Sequence, residues 1–338
     1  MGFAILGLGS VAGLHRQALD SISDTGARLV AVGHHDPGRA GHLGEEFGVP
    51  CLTEQEVLAS EDVDVVVICT PSGQHAQQAI SAARAGKHVL VEKPIALSLR
   101  DADAMIEACE SANVKLGVTL QRRAEEPFRS LREAVAAGEL GRLVCGSVTV
   151  PYYRPQDYYD SAAWRGTREM DGGALMNQGI HLVDLLVWCM GDPVSAAAVA
   201  GTLVHDMESE DTISAALSFS GGEVASVSAT TAASPGFPHR IEVYGTAGGI
   251  QIEGEKIVRW ETTGQVSKTE DAADTLGDAG SGRDPMALSV DGHASVYRDF
   301  VGAIREDGHP AISGEEGRRS LSAVLMMYQS AGLVSEGP

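Results

Sequence analysis

Over the first 120 residues, short runs of branched apolar residues return repeatedly, each parted from the next by a stretch with helical spacing. GFAIL ends at Leu6, RLVAVG covers residues 28–33, and VDVVVICTP, KHVLVEKP and VKLGVTL follow, the last near residues 114–120. Segments such as QHAQQAISAARAG lie between them and carry apolar positions at helical intervals. Strands alternating with helices in this way predict a parallel α/β domain over residues 1–120.

The turn after the first strand is the first candidate site. Gly7, Gly9 and Ala12 fit G-x-G-x-x-A, with Ser10 and Val11 inside the turn and a helix expected to begin near them. Small residues let the backbone approach a pyrophosphate, and the helix amino end offers unsatisfied N–H groups; a tight structural turn is the plainer reading. After the second strand, Asp36 suits a ribose hydroxyl, whereas His34 with Arg39 suits a ribose phosphate. Either NAD or NADP is therefore expected, with NAD slightly favoured.

Thr70 and Pro71 fall near the same crevice, as does His75, which fits a packing role at a helix start comparably well. Glu92, Lys93 and Pro94 follow an apolar strand, at the end where parallel sheets gather ligands. Lys93 suits a hydroxyl or carbonyl oxygen, and Pro94 restricts the entry of the backbone into the next segment.

From residue 121 to 338 the pattern changes to a second expected domain, an α+β fold with a predominantly antiparallel open sheet. RLVCGSVTVPYY, DTISAALSF, VASVSATTAA, HRIEVYG and GIQIEG read as strands, and residues 172–190 as one helix after a glycine-rich entrance. On that helix Asn177, His181 and Asp184, four and three positions apart, line one side. The acidic stretch of residues 261–285 reads as a solvated excursion, serving as a lid, an oligomer contact or a connection.

A net charge of −21 opposes an extended nucleic-acid surface. Five scattered cysteines lack the spacing of a zinc site, and no apolar run has membrane-spanning length. A cytoplasmic chain of two domains, without nucleic acid, membrane or catalytic metal, is the expectation.

Four features in order resemble the glucose-fructose oxidoreductase and inositol dehydrogenase family, also called Gfo/Idh/MocA. They are GLGSVA at residues 7–12, VEKP at 91–94, WRG at 164–166 and DGGALMNQGIHLVD at 171–184, with HASVYRDFVGAIREDGHP as a late segment. The resemblance implies a nicotinamide-dependent oxidoreductase acting on a secondary alcohol of a cyclic polyol, inositol or sugar derivative. It also implies a homo-oligomer, dimer or tetramer, assembled through the open sheet.

Lys93 matches the family lysine and His181 the family histidine, whereas Asn177 stands where inositol dehydrogenase-like members often carry Asp. His181 is then the leading general base and Lys93 the group that holds the reacting oxygen, with Lys93 the rival base. Asn177 and Asp184 would orient His181 or meet substrate. Arg154 and Tyr158, with Arg122 a weaker candidate, would wall a polyhydroxylated ligand or close a joint. A noncatalytic nucleotide or sugar sensor, and a cofactor-assisted sugar epimerase or eliminase, are the alternatives.

Overall fold

The computed structural model describes residues 1–263, 282–283 and 289–334. The chain forms two units, one of Met1–Gln121 with Ser289–Arg318, the other of Arg122–Leu288 with Arg319–Pro338.

In the first unit, β1 (Gly2–Leu6), β2 (Arg28–Gly33), β3 (Cys51–Leu52), β4 (Val65–Ile68), β5 (His88–Glu92) and β6 (Leu116–Thr119) form one sheet. Its order is β3-β2-β1-β4-β5-β6 and every pairing is parallel. The helices α1 (Ala12–Ser21), α2 (Ala40–Phe47), α3 (Glu54–Ala59), α4 (His75–Arg84) and α5 (Leu99–Ser111) make the connections. β1 and β4 are buried at every residue, which is why their sequences run apolar without alternation.

The sheet register aligns Leu6 with Gly33 and with Ile68, and Ile68 with Val91. Gly7, His34, Thr70 and Lys93 therefore all leave the sheet at its carboxyl end. The strand order reverses between β1 and β4, the switch point at which open α/β sheets take ligands.

The second unit carries α6 (Glu126–Ala136), β7 (Leu143–Pro151), α7 (Gln156–Asp160), α8 (Ile180–Met190), β8 (Pro193–Gly201), β9 (Thr212–Phe219), β10 (Val224–Thr230), β11 (Arg240–Gly245), β12 (Gly248–Glu253) and β13 (Lys256–Thr262). Its sheet has the order β13-β12-β11-β7-β10-β9-β8. The central β7–β10 pair is parallel and the other pairings are antiparallel. α8 packs on β7, and α6 packs on α8. The sheet face away from them presents small and polar residues, among them Ser214, Ser218, Ser226, Ser228 and a largely exposed Val199.

Two sequence expectations change. The last helices do not all belong with residues 121–338, because α9 (Val290–Arg305) packs in the first unit. Its Phe300 lies against Gly117, where an added Cβ would come within 2.8 Å of the ring, and its Tyr297 ring centroid is 5.6 Å from that of Phe3. Nor is the segment of residues 172–190 one regular helix: Leu175–Gly179 is a π turn that runs into α8. Of residues 261–285, only the first three and residues 282–283 are described, so the excursion expected there lies outside the described residues. Among the described residues no helix is long and apolar enough to cross a membrane, and all five cysteines are free thiols.

Candidate active site

Gly7 has a φ of +88°, and a Cβ there would sit 2.5 Å from the backbone nitrogen of Thr70. Glycine is required at that position, because the chain turns in a left-handed conformation directly against the strand end of β4. A Cβ on Gly9 would meet nothing within 4 Å. That opening, beside a helix α1 with neither a side-chain cap nor an acid in its first turn, fits the approach of a dinucleotide pyrophosphate to residues Gly7–Ala12. In the next loop His34 Nδ1 accepts the Asp36 N–H at 3.0 Å, and Asp36 Oδ1 accepts the Gly38 N–H at 2.9 Å. The His34 ring stacks on His35, and Arg39 is exposed.

Two residues expected to contact cofactor are instead turned inward. His75 is 1% exposed, with Nδ1 2.9 Å from the Pro94 carbonyl and Nε2 3.0 Å from the Thr70 carbonyl. It ties the loop after β4 to the loop after β5, and burial lowers its pKa. Glu92 is 8% exposed, its Oε1 3.0 Å from His15 Nε2 and its Oε2 accepting the Lys93 N–H at 3.2 Å. The Glu92 side chain thus supports Lys93 from beneath, while Lys93 itself is partly exposed.

The cluster around Glu92 was not legible as a site. His15 is fully buried, and its Nδ1 lies 2.9 Å from the Tyr297 hydroxyl. His293 Nε2 stands 3.9 Å from Glu92 Oε1, and the two histidine rings meet edge to face. Burial pushes Glu92 up, but the hydrogen bond and charge of His15 outweigh it and hold the carboxyl down at about 2. Burial likewise lowers His15, yet the acidic groups Cys69, Tyr297 and Glu92 raise it well above the ordinary value. Burial also pushes the Cys69 thiol and the Tyr297 phenol up, and Glu92 is the carboxylate that His15 faces. His293, pushed down to about 4 by burial and then by His15, stays neutral. A signal existed in the sequence: His15 falls on the buried face of α1 with Ala12, Leu14, Ala18 and Leu19.

In the second unit the π turn presents Asn177 and Gln178, and α8 presents His181 one turn later; all three are partly exposed. Asn177 Nδ2 donates to Asp171 Oδ1 in a short contact, and Asp171 also accepts the Gly166 N–H at 2.8 Å. Gln178, which sequence reasoning passed over, is a polar neighbour of the Tyr158 phenol. The Tyr158 ring lies 4.2 Å from the Arg165 guanidinium, and burial raises its phenol. The segment is fixed from behind: Glu210 Oε1 accepts the Leu175 N–H at 2.9 Å, and the Tyr328 hydroxyl reaches the same oxygen at 2.7 Å. Burial pushes Glu210 up to about 7.

Three expected substrate contacts are buried and bonded within this unit. Asp184 is 1% exposed and receives Arg123 through Nε at 2.8 Å and Nη2 at 2.7 Å, with Ser320 as a further donor. It is a buried ion-pair partner and not a wall of the substrate site. Arg122 is 3% exposed and pairs with Glu125 and Glu255. Arg154 is equally buried, donates to the carbonyls of Tyr153 and Gly282, and stacks over Tyr152 and Tyr158; its contribution is to hold Tyr158.

A parallel sheet of order 3-2-1-4-5-6 with a glycine turn at the switch point defines a dinucleotide-binding fold. Residues 1–120 match the oxidoreductase family with an NAD-binding Rossmann fold, and residues 128–251 match the GFO/IDH/MocA C-terminal domain. The chain belongs to the Gfo/Idh/MocA family and is an NAD(P)-dependent dehydrogenase of its sugar and inositol type.

Among relatives, it is 30% identical to the inositol 2-dehydrogenase of Rhizobium meliloti over 328 residues, covering 95% of this chain and 93% of the relative. It is 29% identical to the 1,5-anhydro-D-fructose reductase of Ensifer adhaerens, over 93% of this chain and 91% of the other. The WlbA dehydrogenase of Bordetella pertussis, solved with NADH and UDP-GlcNAcA, superposes with a TM-score of 0.86 at 33% identity, covering 98% of this chain and 96% of that one.

Proposed function

We propose that this protein moves hydride between a secondary alcohol of a cyclic polyol, inositol or sugar derivative and a nicotinamide, with NAD preferred. The supporting observation is likeness along nearly the whole chain, through both units, to an inositol 2-dehydrogenase and to the WlbA dehydrogenase solved with NADH and UDP-GlcNAcA. Gly7, Gly9, Ser10, Val11 and Ala12 would hold the dinucleotide, with Asp36 at the ribose and Thr70 and Pro71 along the crevice. NAD supplies the hydride acceptor when bound.

His181 takes the hydroxyl proton as the carbon loses hydride, because imidazole exchanges protons near neutrality. Lys93, in the first unit, offers an ammonium that binds a substrate oxygen and stabilises negative charge developing on it. Asn177, a poor proton acceptor, keeps Asp171 and the π turn in register and orients the ligand. Tyr158, beside Gln178 and Arg165, supplies an aromatic wall with one hydroxyl.

The first experiment follows nicotinamide absorbance with NAD and NADP separately, against inositols, free sugars and UDP-sugars, with product analysis. A substrate-dependent rise with NAD is expected; silence across the panel, with unchanged products and no bound nicotinamide, would replace this reading by the sensor. The enzyme is further proposed to act in the cytoplasm as a homodimer or homotetramer paired through the serine-rich sheet face. Light scattering that gives a monomer mass would remove the second part of that statement.

A further inference from the structure

The reaction just described makes no use of the charge on Arg165, the middle residue of the WRG stretch. Arg165 is half-buried and belongs to the second unit, as do Tyr158 and the π turn. Its guanidinium lies 4.2 Å from the centre of the Tyr158 ring and 4.6 Å from that of the Trp164 ring. Nε donates to Ser161 Oγ at 3.1 Å. Among the described residues neither Nη group meets an acceptor, and no carboxylate pairs with the guanidinium.

We propose that Arg165 reads an anionic substituent of the substrate, a carboxylate or a phosphate carried on the sugar or polyol, through its two Nη groups. This inference rests on the reading of the protein as a dehydrogenase of sugar or polyol alcohols whose ligand lies against Asn177 and Tyr158.

Three observations carry it. The residue after Arg165 is latched to the segment that presents Asn177: the Gly166 N–H donates to Asp171 Oδ2 at 2.8 Å, and Asp171 Oδ1 accepts from Asn177 Nδ2. Gly166 itself turns with a φ of +69°, and a Cβ there would stand 2.9 Å from that of Met207, so the turn that carries Arg165 has little freedom.

Second, every partner of the guanidinium is neutral. Two aromatic rings and one hydroxyl hold its plane without cancelling its charge. The end of the fork is left for a ligand, and two parallel N–H donors match the paired oxygens of a carboxylate or phosphate. With 46 acidic residues against 25 basic ones, an acid partner would have been easy to place there.

Third, Arg154 lies 5.9 Å from the same Tyr158 ring and shows how an arginine is used there for structure alone. It is 3% exposed, and its Nη1 is committed to the carbonyls of Tyr153 and Gly282. Arg165, on the same ring, has no such carbonyl.

A chain of net charge −21 repels anions as a whole, so preference for an anionic ligand requires a local cation. The NAD-saturated protein is titrated by calorimetry with glucose and with three anionic counterparts: glucuronate for a carboxylate, glucose 6-phosphate for a terminal phosphate and UDP-glucose for a diphosphate. At least one of the three should bind about 10-fold or more tighter than glucose, and which one does identifies the anion that is read. Arg165→Gln should bring that ratio towards one, and Arg165→Lys, which keeps the charge but loses the fork, should retain only part of it. Loosening of the loop would weaken all four ligands and leave the ratio where it was.

No preference for any anionic probe over glucose, or a preference undiminished in Arg165→Gln, overturns the proposal. Should Arg165→Gln not fold, an undiminished ratio in Arg165→Lys overturns it instead. Because calorimetry reads binding without turnover, the two failures are distinct. A wrong role for Arg165 leaves hydride transfer intact and indifferent to the anion, whereas a wrong dehydrogenase reading leaves an anion preference with no change in nicotinamide absorbance.

Discussion

A Cβ built on Gly173 would stand 1.7 Å from Oε2 of Glu210, so the Glu210 carboxylate occupies the space that any side chain at residue 173 would need. Gly173→Ala must expel that carboxylate from the end of the π turn and strand the Leu175 N–H. The expected cost is about 1–3 kcal/mol, read as a lower urea midpoint at constant slope. An unaltered midpoint contradicts the packing account.

Glu210 also makes stability depend on pH. Burial raises its carboxyl from an ordinary 4.5 to about 7, so the folded state favours the protonated form. Its contribution is complete below about 4.5 and is lost as pH rises through about 7. Glu210→Gln should flatten that decline, leaving the portion owed to Glu125, which burial likewise raises to about 7. A variant whose melting temperature falls with pH as steeply as the wild type would refute it.

Asp184 separates structure from catalysis. Removing it strands Arg123, whose side chain is 4% exposed, and Asp184→Ala should cost about 3–5 kcal/mol. Protein that still folds should bind substrate with the wild-type KM. A raised KM at unchanged stability would restore Asp184 to the substrate site.

Asn177→Asp would set a second carboxylate against Asp171, which is 2% exposed. Two facing carboxylates cannot both ionise freely, so one proton is retained above the usual carboxylate range. The pH–rate profile should gain a titration absent from the wild type. An unchanged profile would confine Asn177 to positioning.

Lys93→Ala and His181→Ala should each reduce turnover by about 100-fold or more, with melting temperatures close to wild type because both side chains are partly exposed. Turnover that survives either change removes that residue from the mechanism.

The first unit was largely legible from local pattern. Its strands β1, β4 and β6 are buried at every residue and read as nearly uninterrupted apolar runs, and the left-handed turn at Gly7 demands glycine whatever lies around it. The sheet of the second unit was legible as strands but not as an order, because the parallel β7–β10 pair joins segments about 80 residues apart in the chain. The π turn was hidden as well, and so was the burial of Asp184 against Arg123 on the helix that follows it.

Sequence alone thus determined the class of fold and the glycine turn, because each depends on residues close together in the chain, and it is the source of the proposal that Lys93 and His181 do the chemistry. Only the tertiary structure decided which polar side chains are committed elsewhere. His15 finds Glu92, Arg123 finds Asp184 and Glu210 finds Tyr328 across separations of 77, 61 and 118 residues. The partners that satisfy a buried charge are chosen by packing, and no local pattern names them.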